Sequence, residues 1–123
     1  VTTTLQQYHR DIETKGMLGE IPYLDSSGEF SWYAPGYDGP IGYDSVVSVL
    51  KQMAPMYTKI DHTWDTLTVL PSSKIKAMYT GEVTTIMVDT SGRTGTLRFK
   101  ETGTIVKRND GWKLLSGKTE MIE

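Results

Sequence analysis

The stretch of sequence that decides the fold runs from Ile75 to Met121: IKAMYTGEVTTIMVDTSGRTGTLRFKETGTIVKRNDGWKLLSGKTEM. It contains three runs rich in Val, Ile, Thr, Tyr and Trp, the residue types that suit the pleated surface of a strand. Two short segments separate the runs, Asp89–Arg93 and Asn109–Gly111, and their Gly, Asn and Asp residues favour tight reversals. The sequence therefore predicts an antiparallel meander of three long strands. The predicted strands are Ile75–Val88, Thr94–Arg108 and Trp112–Ile122.

The predicted strands exceed the usual length of about five or six residues, and long strands tend to curve. Glycines at four positions are predicted bulge or bend points: Gly81, Gly95, Gly103 and Gly117. A curved sheet has a concave face that other elements must fill. The first half of the chain is therefore expected to supply helices that cover this face.

An amphipathic helix is predicted at the start of the chain, from cap residues within Thr2–Thr4 to a break at Gly16. Its apolar face is formed by Leu5, Tyr8 and Ile12. On this spacing His9 is expected on the outer side of the helix, in contact with solvent.

Further elements follow before the meander. They are a short second helix over Met17–Leu24, a strand over Glu29–Tyr33, a third helix from Asp44 or Ser45 to Pro55, and a strand over Lys59–Leu70. In the last of these, Ile60, His62 and Trp64 share one side because strand residues alternate between faces. The order α-α-β-α-β-β-β-β predicts an α+β fold in a single domain over residues 1–123.

Composition narrows the functional classes. The net charge of −2 gives no basic face for nucleic acid, and the absence of Cys excludes disulfides and thiol chemistry. Two distant histidines predict no metal site, and no cofactor is expected. No apolar run is long enough for a membrane span, and no signal peptide is visible. The expectation is a soluble protein. Because the chain starts at Val1 without Met, removal of a leader or a tag is one explanation, and the compartment stays open between cytoplasmic and exported.

Four stretches carry a resemblance to a known superfamily. They are Leu5–Tyr8 (LQQY), Tyr23–Asp25 (YLD), Gly39–Val46 (GPIGYDSV) and Glu101–Leu115 (ETGTIVKRNDGWKLL). With the order of elements, they resemble the SnoaL-like or ketosteroid-isomerase-like superfamily, which has the fold of nuclear transport factor two. The resemblance implies a cone-shaped, curved mixed sheet closed by three N-terminal helices, with a pocket in the concavity. It also implies a homodimer.

The same resemblance argues against a steroid-isomerase mechanism. Those enzymes use an Asp base near the end of the first strand, and that place is taken here by Trp32 or Tyr33. Their acidic donor on the penultimate strand aligns near Thr104. Only Tyr8 matches their first-helix tyrosine, and its place on the apolar helix face also fits simple packing. The Asp-Arg-Asp constellation of the epoxide hydrolases is absent as well.

His62 is a candidate catalytic residue because dehydratase-like members of the superfamily use a His–Asp pair. Neighbouring strand residues point to opposite faces, so neither Asp61 nor Asp65 can pair with it. A partner would come from Asp25 or Glu101. The alternative for His62 is a structural role in the sheet beside Trp64.

Glu101 is the second candidate catalytic residue. Strand alternation places it on one face with Leu97, Phe99, Gly103 and Ile105, and a carboxylate among apolar neighbours is costly unless it is paired. Alternation in the last strand puts Trp112, Leu114, Ser116 and Lys118 on one face, which predicts a Glu101–Lys118 pair inside the cone. The alternative is a bulge at Gly103 that turns Glu101 outward.

These observations leave three functions open. The first is a domain that binds a small hydrophobic or amphipathic molecule in the cone, without turnover. The second is a lyase or isomerase that acts on a small carbonyl or polyketide-like substrate, with His62 or Glu101 as general base and a Tyr hydroxyl as donor. The third is a homodimeric interaction module whose cone is packed shut by tryptophans. The predicted ligand-contacting residues are Tyr8, Tyr23, Trp32, Tyr33, Trp64, Tyr79, Ser116 and Lys118.

Overall fold

A computed structural model describes residues 1–122 of the chain. The helices are α1 (Thr2–Lys15), a 3₁₀ helix (Met17–Tyr23), α2 (Tyr43–Met53) and a 3₁₀ turn (Ala54–Met56). The strands are β1 (Ser31–Tyr33), β2 (Tyr57–Pro71), β3 (Lys76–Asp89), β4 (Thr94–Arg108) and β5 (Gly111–Met121). This order confirms the predicted α+β fold. Within the described residues, no helix combines the length and the apolar character needed to cross a membrane.

The helix starts differ from those predicted. Val1 precedes α1, and no side chain of Thr2–Thr4 makes a capping hydrogen bond. Gly42 precedes α2 in the same way, so Asp44 lies within the first turn rather than at the cap. The end of α1 agrees with the prediction, because Gly16 takes a φ of 78° that suits glycine and stops the helix.

All five strands form one open, curved sheet in the order β1-β5-β4-β3-β2. Strand β1 pairs parallel to β5, and the other neighbours are antiparallel. Strands β3, β4 and β5 confirm the predicted meander, with bounds that differ from the prediction by at most one residue. The meander therefore follows from local strand and turn signals alone.

None of the four strand glycines marks a bulge, which corrects that part of the prediction. Gly103 lies opposite Tyr79, and a Cβ added there would lie 2.9 Å from the Tyr79 ring. A Cβ at Gly117 would lie 2.6 Å from the Trp32 ring, and one at Gly81 would lie 2.7 Å from the Trp64 ring. These glycines leave room for an aromatic ring against the backbone.

The bulges lie elsewhere. The register shifts between Tyr57 and Lys59 and between Trp64 and Thr66 in β2. A third shift falls opposite Thr104 and Ile105, where Leu115 has no cross-strand partner in β5. Gly95 pairs with Met87 in regular register. Because a bulge changes which residues face inward, the shift at Leu115 decides the orientation of half of β5.

The core lies between α1 and the concave face of the sheet. It combines buried residues of α1 with inward residues of the strands: Leu5, Tyr8 and Ile12 with Ile60, Tyr79, Ile105 and Leu114. Burying a side chain such as that of Leu5 stabilises the fold by about 2 kcal/mol. This packing fixes α1 over the sheet, and therefore fixes the polar residues that α1 also carries.

Candidate functional site

A cavity of about 320 Å³ opens between the concave face and the helices. Its apolar lining consists of Met17, Pro35, Leu50, Met53, Ile60, Met87, Leu97 and Phe99. Its polar lining consists of Tyr8, His9, Glu20, Tyr57, His62, Thr85, Glu101 and Thr119. Among the described residues, no tryptophan lines this space. The cone is therefore not packed shut by tryptophan rings.

Glu101 lies inside the cone. Regular alternation along β4 points it inward, where only 4% of its surface is exposed. Its Oε2 accepts a hydrogen bond of 2.6 Å from the Tyr79 hydroxyl. Burial raises the pKa of Glu101 to about 7, and the hydrogen bond from Tyr79 opposes that rise. The carboxyl group is therefore able to take up or release a proton near neutral pH.

A second carboxyl group, that of Glu20, faces the same cavity. Its Oε1 accepts a hydrogen bond of 3.2 Å from the Tyr8 hydroxyl, and burial raises its pKa to about 7. Gly19 makes this contact possible, because a Cβ there would lie 2.4 Å from the carbonyl oxygen of Asp11 on α1. The 3₁₀ helix thus approaches α1 closely enough to bring Glu20 to Tyr8.

The sequence interpretation missed Glu20. A signal was present, because it is the one charged residue in the otherwise apolar or small run Met17–Leu24 (MLGEIPYL). Placing that run over the cavity requires the packing of the 3₁₀ helix on α1. That packing is not visible in local spacing.

His9 is buried, which corrects the prediction of a solvated residue. Its exposed fraction is 4%, and its ring stacks on Trp64 with centroids 4.3 Å apart and an angle of 7° between planes. His9 lies four residues after Leu5, so it completes the buried face of α1. Its Nδ1 has no hydrogen-bond partner in the described part of the chain. Burial lowers the pKa of His9 to about 3, so the ring is neutral at pH 7.

His62 also lines the cavity, with its ring centroid 5.3 Å from that of His9. Its Nδ1 forms a hydrogen bond of 2.6 Å with the Thr85 hydroxyl on the facing strand. Burial lowers the pKa of His62 to about 4. His62 is therefore a neutral ring at pH 7, held in place by a neutral partner.

The predicted His–Asp pair is not formed. Asp25 lies outside the cavity and accepts a hydrogen bond of 2.9 Å from Arg108. The Glu101 carboxyl group accepts a hydrogen bond from the Tyr79 hydroxyl and not from the His62 ring. With Asp61 on the opposite face of β2, His62 has no carboxylate partner among residues 1–122.

The predicted Glu101–Lys118 pair is wrong, and the bulge at Leu115 is the reason. Before the bulge Leu114 points inward, and after it Gly117 and Thr119 do. Lys118 therefore points outward, where its Nζ lies 2.7 Å from Glu120. Ser116 and Tyr33 also lie on the outer face, in a groove that includes Lys118.

Four other predicted ligand contacts do not line the cavity: Tyr23, Trp32, Trp64 and Tyr79. The Tyr23 hydroxyl donates a short hydrogen bond to Asp11. The Trp32 indole N–H donates to the Thr119 hydroxyl at 2.9 Å, and that of Trp64 donates to the Leu5 carbonyl at 3.1 Å. Tyr79 lies behind Glu101 as its donor. Of the predicted residues, the cavity brings together Tyr8, His62 and Glu101.

The arrangement suits proton transfer. A carboxyl group whose pKa is near the working pH exists in both protonation states and serves as acid or base. The cavity holds two such groups, Glu20 and Glu101. The Tyr8 hydroxyl donates a hydrogen bond to Glu20 and lies close enough to Glu101 for the two groups to interact electrostatically, so it stands beside both carboxyl groups. No Lys or Arg lines the cavity in the described part of the chain.

No family model and no curated protein matches the chain. Solved structures do. A protein of Novosphingobium aromaticivorans, provisionally described as a scytalone dehydratase, is 18% identical with a TM-score of 0.83, covering 99% of this chain and 81% of its own. A nuclear transport factor 2-like superfamily protein of Salmonella enterica is 17% identical with a TM-score of 0.76, covering 100% and 94%. A type 2 hexachlorocyclohexane dehydrochlorinase is 16% identical with a TM-score of 0.74, covering 99% and 85%.

Identities of 16–18% establish a shared fold. The chain has the cone fold of the SnoaL-like and nuclear transport factor two-like superfamily, as the sequence resemblance predicted. Two of these three structures carry the names of a dehydratase and a dehydrochlorinase. A shared fold does not carry a reaction with it, so the function of this chain has to be argued from its own cavity.

Proposed function

We propose that the chain binds a small, largely apolar molecule in its cone and transfers a proton on it, as a cofactor-independent lyase or isomerase. The observation that carries the proposal is the Glu101 carboxyl group. It is buried in the cavity, held by the Tyr79 hydroxyl at 2.6 Å, and has a pKa of about 7. These properties are those of a general base that operates at neutral pH.

In the proposed reaction, ionised Glu101 removes a proton from a carbon atom next to a carbonyl group. The electrons of the C–H bond move toward the carbonyl oxygen, which then needs a hydrogen-bond donor. Tyr8 supplies such a donor when its hydroxyl turns from Glu20 to the substrate. Return of the proton to another carbon completes an isomerisation, and departure of a β-substituent with the electron pair completes an elimination.

Glu20 has the second role in this proposal. When protonated, it donates its proton to the departing group or to the neighbouring carbon, while Glu101 acts as the base. The two groups titrate in the same range, with pKa values of about 7. The proposal assigns the ionised form to Glu101 and the protonated form to Glu20. The neutral rings of His9 and His62 shape the walls.

The comparisons support the proposal at the level of the fold, since dehydratase and dehydrochlorinase are names of proton-removing lyases. The residues differ from a His–Asp mechanism, because His62 is bonded to Thr85 rather than to a carboxylate. The proposal therefore assigns the base to Glu101 and not to His62.

Exchange of a carbon-bound proton tests the proposal without knowledge of the natural substrate. The probe is 2-tetralone, a two-ring ketone, incubated with the protein in D₂O at neutral pD and followed by proton NMR. The proposal predicts faster loss of the α-proton signals than in buffer alone. Glu101→Gln should lose most of that acceleration, and the outer-face variant Glu120→Gln should keep it. No acceleration would leave the chain as a binding protein without turnover, and equal acceleration by both variants would show that Glu101 is not the base.

We also propose that the chain forms a homodimer, as the sequence resemblance implies. The outer face of the sheet supports this, because it exposes Tyr33, Met78 and Ile86 beside several threonines. Light scattering at tens of micromolar protein tests it. A mass twice that of the 13.8 kDa chain is expected, and a monomeric mass would overturn the proposal.

A further inference from the structure

Three hydroxyl groups near the carboxyl groups already form hydrogen bonds within the protein. The Tyr79 hydroxyl hydrogen is directed to Glu101, and that of Tyr8 is directed to Glu20. The Thr85 hydroxyl is occupied by His62. Each carboxylate, by contrast, has about four lone-pair sites, of which these hydrogen bonds fill only a part. The two carboxylates therefore offer free acceptor sites to a ligand that brings donors.

The charge of the cavity points the same way. Ion pairs in residues 1–122 lie elsewhere, and none of them includes Glu20 or Glu101. Once these carboxyl groups ionise, their negative charge has no cationic partner in the cavity lining. A buried carboxylate without a partner is unfavourable, so a cationic ligand is favoured and an anionic one is excluded.

His9 supplies an independent observation. Its ring lines the cavity, its exposed fraction is 4%, and its Nδ1 has no hydrogen-bond partner among the described residues. An unpartnered polar atom at that depth is uncommon in folded proteins. A neutral imidazole accepts a hydrogen bond at its unprotonated nitrogen. A donor group on a bound ligand would satisfy it.

We infer that the ligand of this cavity is a small primary amine, bound as its ammonium ion between Glu20 and Glu101 with an apolar body against Phe99. An ammonium group carries three N–H donors, enough to reach both carboxylates and one further acceptor. The aromatic ring of Phe99 also offers a face for cation–π attraction. This inference concerns the same cavity as the proposed function but goes beyond it, because it depends on the two carboxylates and not on proton transfer.

The size of the cavity limits the body of the amine. A volume of about 320 Å³ is at the small end of ligand pockets. One or two fused rings fill such a space, and the apolar lining of Leu50, Met53 and Leu97 matches a hydrocarbon body. Ligands that carry a carboxylate or a phosphate are excluded, because they would add negative charge beside the two glutamates.

A matched pair of probes tests the inference: 2-aminotetralin, which is cationic, and 2-tetralol, its neutral counterpart of similar shape. Calorimetric titration at pH 8 is expected to give at least tenfold tighter binding of the amine. Glu20→Gln and Glu101→Gln should each reduce that preference, and Glu120→Gln should retain it. Amide NMR spectra of each variant verify that it is folded.

The preference should also fall when the pH is lowered from 8 to 6. The ionisable groups that face the carboxylates are Tyr8 and His9 of α1, Tyr57 and His62 of β2, and Tyr79 of β3. Tyr8 and Tyr79 stay neutral because burial raises their pKa, and both histidines stay neutral because burial lowers theirs. Protonation of Glu20 and Glu101 is therefore the expected cause.

The outcomes separate this inference from the proposed function. Equal binding of the two probes, tighter binding of the alcohol, or no binding of either would overturn the inference. An amine preference that is unchanged in both glutamine variants would overturn it as well. Amine preference without exchange of the tetralone protons would keep the inference and reject the enzyme. Exchange without amine preference would keep the proposed enzyme activity and reject the inference.

Discussion

The Tyr79 hydroxyl donates a 2.6 Å hydrogen bond to the buried Glu101 carboxyl group, from one strand of the meander to the next. Tyr79 reaches it because its ring lies over Gly103, its direct cross-strand partner. Glu101 is two residues before Gly103 on the same face of β4. A glycine in a strand thus makes room for the ring that donates to the candidate catalytic base.

The first prediction concerns that glycine. In Gly103→Ala the new Cβ would lie 2.9 Å from both the Tyr79 ring and the Ser116 carbonyl oxygen, so the ring must shift. Overpacking of this kind costs about 1–3 kcal/mol, which urea unfolding measures. Gly95→Ala, in the same strand with nothing within 4 Å of the added Cβ, should change stability little. Similar losses in both variants would contradict the packing role of Gly103.

The second prediction concerns the hydrogen bond itself. Tyr79→Phe removes the donor that lowers the pKa of Glu101. The pKa of Glu101 should therefore rise above its value of about 7 in the unmodified chain, as measured by NMR titration of ¹³C-labelled glutamate. Tyr37→Phe, in an exposed loop, is the control and should leave the pKa of Glu101 unchanged. An unchanged or lower Glu101 pKa in Tyr79→Phe would show that the bond does not stabilise the ionised form.

The third prediction is a pH dependence of stability. The pKa of Glu101 rises from an ordinary 4.5 to about 7 on folding, so the folded state binds more protons between these values. Its contribution to stability is present below pH 4.5 and is lost as the pH rises through 7. Glu101→Gln removes this loss. The free energy of unfolding of Glu101→Gln, relative to that of the unmodified chain, should therefore increase by about 3 kcal/mol between pH 4.5 and pH 8.

Chemical unfolding at several pH values measures that gain. The control is Glu120→Gln, whose carboxyl group is exposed on the outer face and paired with Lys118. Its stability difference from the unmodified chain should vary much less with pH. A stability difference for Glu101→Gln that is constant from pH 4.5 to pH 8 would show that the carboxyl group titrates normally.

The fourth prediction concerns the buried histidine. His9→Phe keeps a ring stacked on Trp64 and removes the unpartnered Nδ1. The pKa of His9 falls from 6.5 to about 3 on folding, so its stabilising contribution is present above pH 6.5 and is lost as the pH falls. The free energy of unfolding of His9→Phe, relative to that of the unmodified chain, should therefore increase by about 2 kcal/mol when the pH falls from 7 to 5. Thermal unfolding at both pH values tests this, and a difference that does not grow at pH 5 would contradict it.

Much of the fold could be predicted because its signals are local. The turn between β3 and β4 is an example. The Asp89 side chain accepts hydrogen bonds from the backbone N–H groups of Ser91 and Arg93, and Gly92 has a φ of 86°. Each of these features is a property of the residue type at its position. The same holds for Gly16, which ends α1.

The orientation of β5 could not be predicted, because the bulge at Leu115 has no local signal. It arises from pairing with Thr104 and Ile105 on β4, and neither Gly nor Pro marks it. Simple alternation therefore placed Lys118 inside the cone with Glu101. The inward direction of Glu101 followed from alternation because the Thr94–Glu101 part of β4 pairs in unbroken register with β3.

The composition of the site was only partly visible in the sequence. His62 and Glu101 lie on strands, where a period of two indicates the face. The spacing of Leu5, Tyr8 and Ile12 predicts His9 on the solvent side. The position four residues after Leu5 also belongs to the buried face of α1, and His9 occupies it. Glu20 depends on the close approach of two helices at Gly19, which is a tertiary contact.

The most direct test of the account is a carboxyl titration by NMR of the unmodified chain with ¹³C-labelled glutamate side chains. The account predicts that two carboxyl signals titrate near pH 7. One should disappear in Glu20→Gln and the other in Glu101→Gln, while the remaining glutamates titrate at ordinary acidic pH. If every glutamate has titrated by about pH 5, the cavity lacks the neutral-pH acid and base on which the proposed function depends.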